Sequence, residues 1–153
     1  MSGQSPTYLQ KAIAFQLALE VKHNPRVLVE IGAGQGKSIV VAIIAGINAV
    51  QGKWPLIFAF HDDRILARDK ELIDDVLSQY DGAAYELVTF KTLLEKAVKK
   101  ATLVVDEFDS LIFNNPKETT RLCQDALAVI GLTATPGGKH GFERSLLQEL
   151  RFT

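Results

Sequence analysis

Five short apolar runs rich in branched residues punctuate the chain: RVLVEI (Arg26 to Ile31), PLIFAF (Pro55 to Phe60), YELVT (Tyr85 to Thr89), ATLVVD (Ala101 to Asp106) and LAVIGLT (Leu127 to Thr133). None alternates apolar with polar positions as a half-wet strand does. Continuous runs of this length suit strands covered on both faces, as in a parallel sheet. Between the runs the spacing becomes helical. Thr7 to Lys22 carries Leu9, Ile13, Leu17 and Val21 four apart and stops at Asn24-Pro25. Asp62 to Tyr80 carries Ile65, Leu66, Leu72, Ile73, Val76 and Leu77 and closes at Asp81-Gly82. A further helix begins near Gly36, and shorter ones are expected at Thr92 to Lys99, from Lys117 to Leu122 or a little beyond, and at Phe142 to Leu150.

Strand and helix in alternation predict an α/β fold: a doubly wound, three-layer domain with right-handed crossovers and a mainly parallel sheet of about five strands. In such sheets ligands sit beyond the carboxyl ends of the strands, so each polar or glycine-rich signal is weighed by whether it directly follows a strand.

The 153 residues suit a single domain over 1–153, with the first five expected to be flexible. With 47% hydrophobic and 23% charged residues the chain falls in the range of globular proteins, which argues against extended disorder. A formal net charge of −1 supplies no overall pull toward nucleic acid or anionic lipid, so such a partner needs a local basic patch. Lys91, Lys96, Lys99 and Lys100 are a candidate for one, although a charge run commonly marks a solvated helix face. Cys123, the single cysteine, permits no internal disulfide and reads as a small buried apolar residue. The apolar stretch Ile39 to Val50 is short of the roughly 20 residues that span a bilayer, and the N-terminus has no secretory pattern. A cytoplasmic protein without a membrane span is expected.

Three signals follow strands. Gly32 to Ser38 (GAGQGKS) comes straight after the first run and opens a helix. Successive backbone amides there, those of Gly34, Gln35 and Gly36 among them, can cradle phosphates. Lys37 then adds a positive charge and the Ser38 hydroxyl a magnesium ligand. Ile31 stands where the commonest form of such a loop has a glycine, and a tight turn with an exposed lysine is the alternative. The second signal is DEFD (Asp106 to Asp109) at the tip of the fourth run. Adjacent acids leaving a buried strand are costly without cations or donors nearby. A magnesium nucleotide would resolve that cost, with Asp106 on the metal and Glu107 as general base. A solvated strand-to-helix cap fits the pair by itself equally well. The third is GLTATP (Gly131 to Pro136), whose Thr133 and Thr135 offer hydroxyls to the acidic strand tip and a loop able to move with it. His61 reads as a solvated helix cap, and the histidines lack metal-ligand spacing.

In combination, GQGKS, DEFD and LTATP resemble the first RecA-like domain of a superfamily 2 helicase or translocase, the DExD/H-box ATPases. The shorter glycine pattern beginning at Gly34 points the same way, while a kinase or GTPase is disfavoured because no N/T-K-x-D element appears and DEFD differs from D-x-x-G. The resemblance implies ATP and Mg²⁺ as cofactors, bound by Gly34, Gln35, Gly36, Lys37 and Ser38, with Ser38 and Asp106 at the metal and Lys37 and Glu107 catalytic. It also makes Gln10, within PTYLQ, the candidate for reading adenine, an exposed helix-start glutamine being the alternative. Thr133 and Thr135 would couple nucleotide state to the gripping of a polymer, which Val88 to Lys96 is placed to contact. Local likeness to the motor of the SecA-type preprotein translocase lies in AFHDDRILARD (Ala59 to Asp69), with Asp63, Arg68 and Asp69 in register, and in VDEFDSLIF. The polymer is therefore nucleic acid or polypeptide. Family members work between two RecA-like domains, the second supplying arginines worth on the order of 10³ to 10⁵ in rate. That partner, in cis or in trans, is expected to be needed, so the chain by itself should bind ATP weakly and hydrolyse it slowly or not at all. The alternative is a non-catalytic interaction module that keeps the fold.

Overall fold

Each of the five apolar runs forms a strand in the computed structural model, which describes residues 26–31, 37–52 and 54–134. In order these residues form β1 (Arg26–Glu30), α1 (Lys37–Val50), β2 (Leu56–Phe60), α2 (Asp63–Leu77), β3 (Tyr85–Thr89), α3 (Phe90–Leu94), β4 (Thr102–Val105), α4 (Phe108–Asn114), α5 (Pro116–Asp125) and β5 (Ala128–Thr133). The helices expected at 7–22 and 142–150, and the flexible start at 1–5, lie outside the described residues, as do parts of the single domain expected over 1–153.

All pairings are parallel and the sheet order is β1-β5-β4-β2-β3. Every residue of β2, β4 and β5 is buried, whereas the edge strands β1 and β3 are partly exposed. This is the physical content of the unalternating runs: a central strand of a three-layer domain has no wet face. Leu56, Phe58, Phe60, Val104, Ile130 and Leu132 face a core built with α1 and α2. Ile57, Ala59, Leu103, Val105 and Val129 face a second core under α3, α4 and α5.

Two helices depart from expectation. The one expected at Thr92 to Lys99 is α3, which starts at Phe90 and is over by Leu94. Phe90 and Leu93 must reach the core immediately after β3, and Lys100 turns the chain back with a left-handed φ of 64°. The unexpected helix is α4, a seven-residue element that starts within DEFD at Phe108 and ends before Pro116, and whose buried face is Phe108, Leu111 and Ile112. The basic cluster is divided by the same geometry. Lys91 follows a strand's carboxyl end, Lys99 and Lys100 precede β4 at the opposite end of the sheet, and Lys96 pairs with Glu86 at 2.6 Å. The stretch Ile39 to Val50 lies within α1 and faces the core through Val40, Val41, Ala42, Ile44, Ala45 and Ala49. No helix among the described residues is long and apolar enough to cross a membrane.

Gly131 sets how closely α4 approaches the sheet. A Cβ there would lie 2.8 Å from Phe108 Cγ and 3.1 Å from Leu28 Cδ1, so β5 accepts the Phe108 ring only because this position is bare. Gly131→Ala is accordingly expected to destabilise the domain by about 1–3 kcal/mol through overpacking. Denaturant unfolding checks it, and adding Phe108→Leu should recover part of the loss. Cys123 is fully buried on α5, and burial pushes its thiol up to about 12. The native protein should therefore show no fast thiol reaction with a disulfide reagent at mildly alkaline pH, and one equivalent once unfolded in denaturant.

Candidate functional site

Parallel pairing brings the ends of β1, β4 and β5 together. Ile31 N–H donates to the Thr133 carbonyl at 2.8 Å, and Asp106 N–H donates to the Ala59 carbonyl at 3.0 Å, so the ladder runs one residue past both β1 and β4. Ile31 is fully buried in the core, which accounts for a branched residue where a glycine was looked for: it is the last position of the sheet, not the first of the loop.

Asp106 is the first charged group beyond β4, and it is 4% exposed. The chain then turns at Glu107, which occupies the left-handed region with φ 50° and ψ 49°. A non-glycine residue pays on the order of 1 kcal/mol there. The turn is held by Glu107 N–H donating to Asp106 Oδ1 at 3.0 Å and by Phe108 seated over Gly131. It leaves the Glu107 side chain half-buried beside Asp106.

Lys37, the first residue of α1, brings its Nζ to 3.0 Å from the same Asp106 Oδ1. A buried carboxylate requires a cation, and here the helix across β5 supplies one. Both contacts fall on Oδ1.

The next residue makes a different partnership. Ser38 Oγ donates to Asp69 Oδ1 at 2.7 Å, and Arg68 Nε donates to the same oxygen at 3.1 Å. Asp69 is 3% exposed, yet it lies on α2, a helix whose N-terminus is capped by Asp62 accepting from Ile65 N–H at 3.0 Å. The Arg68 side chain is mostly exposed. Its hydrogen bond to Asp69, with Asp106 and Glu107 adding negative charge nearby, raises its pKa above the ordinary value against an opposing desolvation.

Of the residues singled out from sequence, Lys37, Asp106 and Glu107 are brought together, Ser38 stands one residue along α1, and Thr133 is fully buried at the end of β5. Gln10, Gly34, Gln35, Gly36 and Thr135 lie outside the described residues. His61 sits beside the cap with its ring edge-on to Phe90 at 5.4 Å. Asp69 was placed by likeness alone, but the sequence does carry a physical signal for it. Ile65, Leu66, Leu72 and Ile73 stand three and four residues to either side, which puts a carboxylate on the buried stripe of a helix.

Among the described residues no group of three or more His, Cys, Asp or Glu gathers that could hold a metal unaided. What the site offers instead is one strand-tip carboxylate, one hydroxyl and one lysine. That donor set suits magnesium, which is commonly held by one or two protein oxygens with the remainder from water and substrate phosphates.

No protein-family model matches the sequence, and no curated protein sequence matches it. The fold, by contrast, has clear counterparts among solved structures. It is similar to the Sulfolobus solfataricus SWI2/SNF2 ATPase core in complex with dsDNA, with a TM-score of 0.76 and 14% identity over 96% of this chain. It is also similar to the UvsW helicase from bacteriophage T4, with a TM-score of 0.67 and 12% identity over 94% of this chain. A third likeness is to a nuclease-deletion mutant of the Type ISP restriction-modification enzyme LlaGI in complex with a DNA substrate mimic, with a TM-score of 0.65 and 11% identity over 87% of this chain. The chain spans 36%, 57% and 18% of those three proteins, respectively. At such identities the likeness is one of fold: a five-stranded, all-parallel RecA-like α/β domain of the kind found in helicase and SNF2 ATPase cores.

Proposed function

We propose that this chain is the ATP-binding domain of a DExD-box helicase- or translocase-type motor. The observation that carries the reading is Lys37 Nζ 3.0 Å from Asp106 Oδ1 at the carboxyl ends of a parallel sheet, with Glu107 next in the chain. In a RecA-like fold that end of the sheet is the ligand end, and the donor set fits a magnesium nucleotide. Bound there, ATP and its magnesium would supply a phosphoanhydride and a Lewis acid.

The chain's own residues then divide the work. Lys37 and the amides of Gly34, Gln35 and Gly36 hold phosphate oxygens, while Ser38 and Asp106 hold the metal. Lys37 is poised for this because its ammonium already lies against the buried carboxylate and need only be shared with an incoming anion. Glu107 is carried out of the sheet by its left-handed turn and serves as general base, accepting a proton from the attacking water. Gln10 reads adenine. Thr133 and Thr135 report the state of the site to a polymer-gripping surface. A second RecA-like domain, in cis or in trans, completes the site with arginine. Two of the structurally similar proteins are described in complex with DNA or a DNA mimic, which favours nucleic acid as the polymer. The SecA-like stretch Ala59 to Asp69 keeps polypeptide as the other candidate.

A second reading, a non-catalytic interaction module, is favoured by one specific feature: the Lys37–Asp106 pair satisfies the buried carboxylate without any ligand. Titration of the chain with a fluorescent ATP analogue and magnesium separates the two. Lys37→Ala, shown by circular dichroism to be folded, is expected to bind at least about tenfold more weakly, since hydrogen bonds to charged groups are worth about 1.5–3 kcal/mol. Equal binding by the two proteins refutes the phosphate role of Lys37. ATPase assays with DNA, RNA, unfolded polypeptide and a candidate second domain form the companion measurement. Turnover stimulated by any of these is expected to be lost in Glu107→Gln, and turnover that persists in that variant removes Glu107 from the role of base.

A further inference from the structure

Asp69 is a buried carboxylate that none of the roles above uses. It lies on the second helix, yet its Oδ1 accepts from Ser38 on the first helix at 2.7 Å and from Arg68 at 3.1 Å. We propose that Asp69 is a positioning residue for the metal ligand Ser38, an inference that rests on the nucleotide-binding reading above.

A serine hydroxyl has one proton and two lone pairs, and its rotor turns to suit its surroundings. An oxygen that must serve as a ligand to a hard cation has to direct its proton elsewhere. Asp69 receives that proton at a distance typical of a charge-assisted O–H···O⁻ bond. The hydroxyl proton is thereby committed before any ligand arrives, the lone pairs are what remains to offer, and the negative partner makes the oxygen a better donor to a cation. In the structure the Ser38 hydroxyl donates to Asp69 and not to Asp106, whose Oδ1 is engaged by Lys37 and by Glu107 N–H. The two adjacent residues at the start of α1 thus answer to separate acids, Lys37 to the strand tip and Ser38 to the neighbouring helix. Arg68 balances the charge of Asp69 from the mostly exposed side.

The test reads magnesium rather than turnover. Binding of a fluorescent ATP analogue is followed as magnesium chloride is raised, and again in chelator, for wild type, Ser38→Ala, Asp69→Leu, Asp69→Asn and the Ser38→Ala/Asp69→Leu pair. Asp69→Leu removes the buried charge itself and leaves its charged partner Arg68 mostly exposed, so no buried charge is stranded and the fold should survive. It is expected to raise the half-saturating magnesium concentration about 10- to 100-fold, the usual effect of losing a partner of a metal ligand, and to leave binding in chelator near wild type. Asp69→Asn, which keeps an oxygen acceptor, should recover most of that loss. In the Ser38→Ala background Asp69→Leu should add nothing. If Lys37→Ala weakens binding while Asp69→Leu keeps the wild-type magnesium dependence, or if Asp69→Leu adds its full effect without Ser38, the Asp69 role is overturned and the nucleotide reading stands. If wild type binds no nucleotide, both fall.

Discussion

A parallel sheet sealed on both faces leaves its polar chemistry only one place to go. Each position of β2, β4 and β5 is buried, so the first polar groups these strands present are at their ends. The crossovers that seal the faces also force all strands to point the same way, which collects those ends on one side. Asp106 emerges there, still almost wholly buried, and its charge has to be answered by something the sheet does not contain. The remaining features of the site are responses to that requirement.

The answer comes from α1, which starts one strand-width beyond β5 and places Lys37 on Asp106. Removing either member of such a pair is far more damaging than replacing both, because an isolated buried charge has no compensation. The buried Asp69 carboxylate likewise depends on its partners, its Oδ1 accepting from both Ser38 and Arg68. α1 is therefore fastened at its first turn to β4 on one side and to α2 on the other. The strained Glu107 turn belongs to the same economy. It is tolerable because Asp106 takes its N–H and because the bare backbone at Gly131 lets Phe108 sit down behind it. The fold so assembled is a five-stranded, all-parallel RecA-like α/β domain, similar to part of each of the three solved structures.

Most of the architecture was legible because it follows from local periodicity. Unalternating runs such as Leu56–Phe60 mark strands without a wet face, and the stripe Ile65, Leu66, Ile73, Leu77 marks a helix with one buried side. Where local signals were weak, the reading slipped. α4 has only seven residues, begins at a left-handed glutamate and lacks a side-chain cap, so nothing short-range announces it. α3 starts earlier than its charge pattern suggested because Phe90 has to be buried at once. Ile31, which the first apolar run includes, continues the sheet's hydrogen bonding one residue past β1 through its N–H to Thr133.

The sequence by itself determined which segments are strands, that the central ones lie in the interior, and that DEFD follows a strand, since these depend on residue spacing within a few turns. Only the tertiary structure decided which acid meets which partner. Lys37 with Asp106 and Ser38 with Asp69 are matches between segments far apart in the chain, set by the order β1-β5-β4-β2-β3 and by α1 lying against α2. Spacing along the chain carries no information about such pairings. They follow from how the layers stack and from the need of each buried carboxylate to find a donor within about 3 Å.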